Sequence, residues 1–283
     1  NGVTFANSTF VAVGFSGTIL TSSDGTTWTS RTSGTSNNLN GVIYANNTFV
    51  TVGWNGTILT SSDNGTTWTS RTSGTSNSVY RTAYANSTFV TVGEYGTILT
   101  SSDNGTTWTT RTSGTTNTLS EVTYANSTFV TVGYSGTILT SSDGTTWTSR
   151  TSGTTNNLYG VTYGNSTFVT VGQSGTILTS SDGTTWTSRT SGITNNLWGV
   201  TFGNNTFVAG GESGTISTSS DGITWTSRTS GISDGLWGIT YGNSIFVTVS
   251  YGGEIILTSS DGISWTSRTS GTTERLHAVT YKE

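Results

Sequence analysis

Seven times in 283 residues the sequence spells a Ser-Ser-Asp turn ending on Trp, as "SSDNGTTW" at 61–68 and, one residue shorter, as "SSDGTTW" at 141–147. The tryptophans of these turns are Trp28, Trp68, Trp108, Trp147, Trp186, Trp225 and Trp265, spaced by 40, 40, 39, 39, 39 and 40 residues. A period of this length, sustained from end to end, constrains the fold more than any other property of the chain. It leaves no room for a second domain. Within one copy, "EVTY", "TFVTV", "TILTS" and "TWTSRT" are β-rich runs separated by the turn-forming texts "ANS", "GYSG" and "SDGT". Four antiparallel strands per copy are predicted.

A four-stranded sheet of about 40 residues does not bury two apolar faces by itself, so the copies must stack. Radial stacking of such sheets gives an all-β, seven-bladed propeller over residues 1–283. A β-solenoid is the rival, but its coils are usually shorter and rarely hold three tight hairpins. The first-strand text occurs eight times, as "GVTF" at 2–5 and again as "HAVTY" at 277–281. The ring is therefore expected to close with strands from both termini, and Leu276, shared with the internal copies, favours the C-terminal text as the closing strand. A monomer is favoured, with a strand-donating oligomer or filament as the alternative.

Composition excludes several functions. Charged residues are 8% and aromatic residues 11% of the chain, too little charge and too much aromatic content for disorder. No apolar run approaches the roughly 18 residues of a membrane span. Zero Cys removes disulfides and thiol chemistry, and zero Met reads as a processed or excised chain. A net charge of -4 with ten Lys and Arg argues against a nucleic-acid partner.

The seven turns match S-x-D-x-G-x-T-W, although five lack the residue between Asp and Gly. The unit resembles the Asp-box (BNR-type) repeat of bacterial propellers related to sialidases, sortilin-type receptors and photosystem II assembly factors. That resemblance implies the propeller fold, with the boxes on its periphery and away from any active centre. Asp24, Asp63, Asp103, Asp143, Asp182, Asp221 and Asp261 each stand alone in their turns, so neither a metal site nor a cofactor is expected. They read as structural, the carboxylate accepting amides of its own turn and the following Trp covering apolar surface. The arginines three residues after each Trp, Arg31, Arg71, Arg111, Arg150, Arg189, Arg228 and Arg268, read as edge charges on the outermost strand.

Function is expected where the copies differ. The "VGxxG" turns carry Phe15, Trp54, Glu94, Tyr95, Tyr134, Gln173, Glu212 and Tyr251, and the start of each first strand carries Asn40, Tyr80, Ser120, Tyr159, Trp198, Trp237 and His277. Arg81 and Glu121 follow two of the latter. Both sets are expected at one end of the propeller. The candidate ligand-binding residues are Trp54, Tyr80, Arg81, Glu94, Tyr95, Glu121, Tyr134, Tyr159, Trp198, Glu212, Trp237, Tyr251 and His277. Aromatic faces beside charged groups suit a carbohydrate or a protein partner; packing in the propeller interior is the structural alternative. A noncatalytic binding scaffold follows, because one His and no Cys exclude most hydrolytic arrangements. Glu94, Glu121 and Glu212 keep a glycoside hydrolase as the alternative, and a purely structural repeat is the third reading. Sequons recur at Asn7, Asn46, Asn86, Asn126, Asn165 and Asn204, where turn chemistry alone accounts for Asn. The polar, Thr-rich surface suits an extracellular or cell-surface location.

Overall fold

The computed structural model describes residues 1–282 as an all-β, seven-bladed propeller, each blade a four-stranded antiparallel sheet in sequence order. The blades span residues 2–31, 39–71, 79–111, 119–150, 158–189, 197–228 and 236–269. No helix is long and apolar enough to cross a membrane among the described residues. The chain forms two compact units. One comprises Asn1–Thr131, Ser141–Thr148 and Lys282; the other comprises Val132–Thr140 and Ser149–Tyr281.

In the first unit, the third blade shows how sequence becomes sheet. Its first strand, Val79–Ala85, reverses through Asn86 and Ser87, both at positive φ of 50° and 57°, into Thr88–Gly93. Two left-handed residues match the twist of a two-residue hairpin, a conformation Asn tolerates well. Tyr84, Phe89 and Trp108 form an aromatic chain across the sheet, with ring centroids 4.6 and 6.4 Å apart. The core lies between blades, since Val50, Val52 and Ile58 of the second blade pack with Val79, Phe89 and Leu99 of the third. Alternation along the strands thus gives each sheet two faces that only a neighbouring blade covers.

The Ser-Asp-Gly-Trp turn joins the third strand to the fourth and fastens it to the blade before. Ser61 Oγ accepts the amide of Gly65 at 3.0 Å and donates to Asp63 Oδ1 at 2.8 Å. Asp63 in turn accepts from the Thr66 and Thr67 amides and the Thr67 hydroxyl. Trp68 Nε1 donates to Gly65 O, and its ring packs on a cluster containing Val11 and Ile19 of the first blade. A Cβ on Gly65, at φ +77°, would meet first-blade Thr21 and Val11 at 3.0 and 3.2 Å. The fourth strand is only Thr69–Arg71, so Trp68 ends the turn instead of opening the strand.

A second clasp explains the recurring hairpin asparagines. The side-chain amide of Asn46 reaches Asn104 Oδ1 in the next blade's turn, and that of Asn7 reaches Asn64 Oδ1. Where the turn is one residue shorter and that Asn is missing, a Ser carbonyl accepts instead: Asn86 Nδ2 donates to Ser142 O in the first unit, and Asn165 Nδ2 to Ser220 O in the second. The extra residue of the long turns therefore changes the partner and keeps the clasp.

The termini depart from expectation. The first blade takes its first strand from the N terminus, Gly2–Ala6, in register with Thr9–Val13, and not from the C-terminal copy. A two-residue hairpin closes at far smaller entropic cost than a segment some 270 residues away. In the second unit, residues 276–281 form no strand. They pack on the seventh blade as its first strand packs on the sixth: Tyr281 covers Gly242 as Tyr241 covers Gly203, a Cβ at either glycine falling 2.1 or 2.0 Å from the ring.

Hydrogen bonds from Thr107 and Ser101 hold the Asp103 carboxyl at about 2, and at Asp63 the bonds from Thr67 and Ser61 outweigh the upward push of burial to give about 2. Folded carboxyls below the unfolded value of about 3.9 contribute stability that is complete above that pH and is lost as pH falls through about 2. The thermal midpoint is expected to fall between about pH 4 and 2 in a pH series of calorimetric scans, more weakly in Asp63→Asn/Asp103→Asn.

Candidate functional site

The turn between second and third strands and the start of the first strand lie at one end of a blade, and backbone bonds fix them together. Trp54 N donates to Asn38 O, Glu94 N to Ser78 O, Glu212 N to Asn196 O and Tyr251 N to Gly235 O, all at 2.7–2.9 Å. The variable first-strand residue is also the extra residue of a β-bulge. In the second blade Leu39 pairs with Gly53 and Gly41 with Val52, leaving Asn40 unopposed; Tyr80, Tyr159 and Trp198 occupy the same place. A bulge re-aims the side chain it releases. The repeat thus delivers two variable side chains per blade to one place.

In the first unit this place holds charged groups. Arg81 Nε lies 3.4 Å from Glu121 Oε2, and Arg81 Nη1 donates to Asn40 O and Tyr80 O. Arg81 and Glu121 stand where the second blade has Gly41, whose Cβ would lie 2.7 Å from Tyr80 O. Burial pushes the Glu121 carboxyl up, opposed by Arg81 and the Val122 amide. Glu94 is engaged differently: it accepts from the Ser78 amide at 3.0 Å and the Tyr80 hydroxyl at 2.8 Å, and these bonds overcome burial to lower its carboxyl. In the second unit Glu212 accepts from the Asn196 amide and Gln173 from the Asn157 amide, so this turn position also closes the loop before the first strand.

The second unit gathers aromatics. Trp237 lies 5.1 Å from Trp198, stacks on Tyr251 at 5.5 Å and meets His277 edge-on at 4.9 Å. Arg275 caps the Tyr251 ring at 4.3 Å, a contact the sequence did not announce. Room for Trp198 comes from Gly235, where a Cβ would fall 2.4 Å from the indole. Tyr134 and Tyr159 form a separate edge-on pair, 6.4 Å apart.

Exposure separates these residues. Phe15 is 55%, Trp54 49%, Tyr95 70%, Tyr134 43% and Trp237 37% exposed, whereas Tyr80, Tyr159, Trp198, Tyr251 and His277 are half-buried. Tyr95 also adopts φ +52°, ψ +38°, where five other copies place Ser or Asn. That conformation costs a bulky side chain about 1 kcal/mol or more. Among the described residues no three His, Asp or Glu side chains converge as metal ligands would.

No protein-family model matches the chain, and no curated protein matches it in sequence. Solved structures do match. YCF48 from Cyanidioschyzon merolae superposes with a TM-score of 0.71 at 16% identity, over 91% of this chain and 93% of that one. The computationally designed Ika8 protein gives 0.82 at 15% identity, over 100% and 90%. YCF48 bound to D1 peptide gives 0.69 at 19% identity, over 88% and 87%. At these identities the likeness is one of fold, the seven-bladed propeller.

Removing one member of this partly exposed ion pair, its side chains 41% and 28% accessible, leaves the other without its counter-charge, whereas removing both restores the backbone of the neighbouring copies. Arg81→Gly is expected to destabilise the chain more than Arg81→Gly/Glu121→Gly in urea denaturation; a strictly additive cycle would show that the two groups do not interact.

Proposed function

We propose that this chain is a noncatalytic binding scaffold of Asp-box repeats, whose variable turns present aromatic side chains to a protein partner at or outside a cell surface. The observation that carries this reading is the set of exposed rings at equivalent turns, Phe15, Trp54 and Tyr134, with strained Tyr95 beside them. Large amphipathic rings on rigid turns lose little entropy on binding and form the hot spots of protein interfaces. The structure of YCF48 bound to D1 peptide supports a peptide ligand for a propeller of this fold.

The enzymatic alternative draws less support. Glu94 and Glu212 are committed to loop amides, and Glu121 is paired with Arg81. A carbohydrate partner remains the second reading, favoured by Trp237, the exposed member of the Trp198, Tyr251 and His277 cluster.

The full chain is to be applied to a peptide array and a glycan array, with Trp54→Ala and Trp237→Ala alongside. Peptide ligands are expected, weakened about 30-fold by Trp54→Ala, which corresponds to roughly 2 kcal/mol at a hot spot. Glycan binding lost only in Trp237→Ala would favour the second reading. Unchanged affinity in both variants, or turnover of a glycoside, would overturn the proposal.

A further inference from the structure

The seven arginines that end the fourth strands do more than charge an edge. Arg111 Nε donates to Thr100 Oγ1 on the third strand at 2.8 Å, and Arg150, Arg189 and Arg228 make the same bond to Thr140, Thr179 and Thr218. That bond fixes the guanidinium through one nitrogen. Arg111, Arg150 and Arg228 form no ion pair among the described residues. Each lines a cleft. In the first unit Arg111 borders one of about 820 Å3 with Tyr95, Asn77, Thr97, Ser113 and Asn117. In the second unit Arg150 borders one of about 720 Å3 between Ser149 and Thr155, and Arg228 borders one of about 870 Å3 with Asn195, Thr215, Ser230 and Asp234.

We propose that these clefts are repeated binding sites for a carboxylated polysaccharide, adjoining the aromatic turn surface at Tyr95. Three observations select that chemistry. The linings are mainly hydroxyls, amides and backbone, which match sugar hydroxyls in both donating and accepting, and the Arg111 and Arg150 clefts offer no apolar socket of the kind a peptide side chain needs. A guanidinium anchored at Nε presents its remaining N–H groups to a carboxylate in a planar fork. Tyr95, forced into its left-handed conformation, borders the Arg111 cleft and offers a ring face to the C–H side of a sugar. The clefts recur with the blades, and a polymer that carries a carboxylate on every residue offers each of them a ligand. In the Arg228 cleft, Asp234 opposes an anion, so that site is the weak one.

The test is binding of the full chain to polygalacturonate, with dextran as the neutral polymer and polyglutamate as the anionic peptide, followed by titration calorimetry at two salt concentrations. Polygalacturonate is expected to bind, more weakly at high salt, and the other two not. Arg111→Gln/Arg150→Gln is expected to lose affinity at least about tenfold, since both strong sites go. Arg111→Lys/Arg150→Lys, which keeps the charge without the fork, is expected to fall between, and matched thermal midpoints guard against unfolding. Asp234→Asn is expected to strengthen binding. Tyr95→Asn is expected to raise the thermal midpoint while weakening binding, a pairing that a merely structural tyrosine would not give. Equal binding of polyglutamate, no binding of polygalacturonate, or unchanged affinity in the Gln variant at a wild-type thermal midpoint would overturn the proposal.

Discussion

The structure depends on one buried hydroxyl per blade. In each of the seven turns a Ser at the end of the third strand, from Ser22 to Ser259, accepts the turn glycine's amide and donates to the Asp carboxylate. Through that hydroxyl a buried strand end and an exposed turn become one hydrogen-bonded unit. Orphaned donors in a tight reversal are costly, and here each has an acceptor. Because the fourth strand of most blades is only three residues long, the turn and its Trp supply much of what holds that strand in place.

A short fourth strand also separates charge. It begins beside the Asp of its turn and ends on the Arg, so each blade carries an acid at one end and a base at the other. The net charge of -4 hides this polarity. The variable turns lie at the arginine end.

Much of the fold was legible because the repeat states it seven times. The four β-rich runs between 119 and 152 became strands at Leu119–Ala125, Thr128–Gly133, Ile138–Ser141 and Thr148–Arg150. The Asn-led hairpin and the Asp turn followed from their own chemistry. Other features have no signature in composition or spacing. Glu94 reads as a free carboxylate until Ser78 N–H and Tyr80 O–H are found on it. Tyr80 and Trp198 stand out as variable positions, but the bulge that releases them from register has no sequence signature. Arg111 looks like an edge charge, because its cleft is made by segments that sequence distance keeps apart. The eighth first-strand text misled for a related reason: it repeats the words of a strand without the hairpin that would pair it.

Amide hydrogen exchange at the turn glycines tests this account most directly. Gly65 and Gly105, whose amides are buried on Ser61 and Ser101, are expected to exchange only with global unfolding, while the exposed turn amide of Asn55 exchanges locally and fast. Exchange of Gly65 and Gly105 at the rate of that open turn would contradict it.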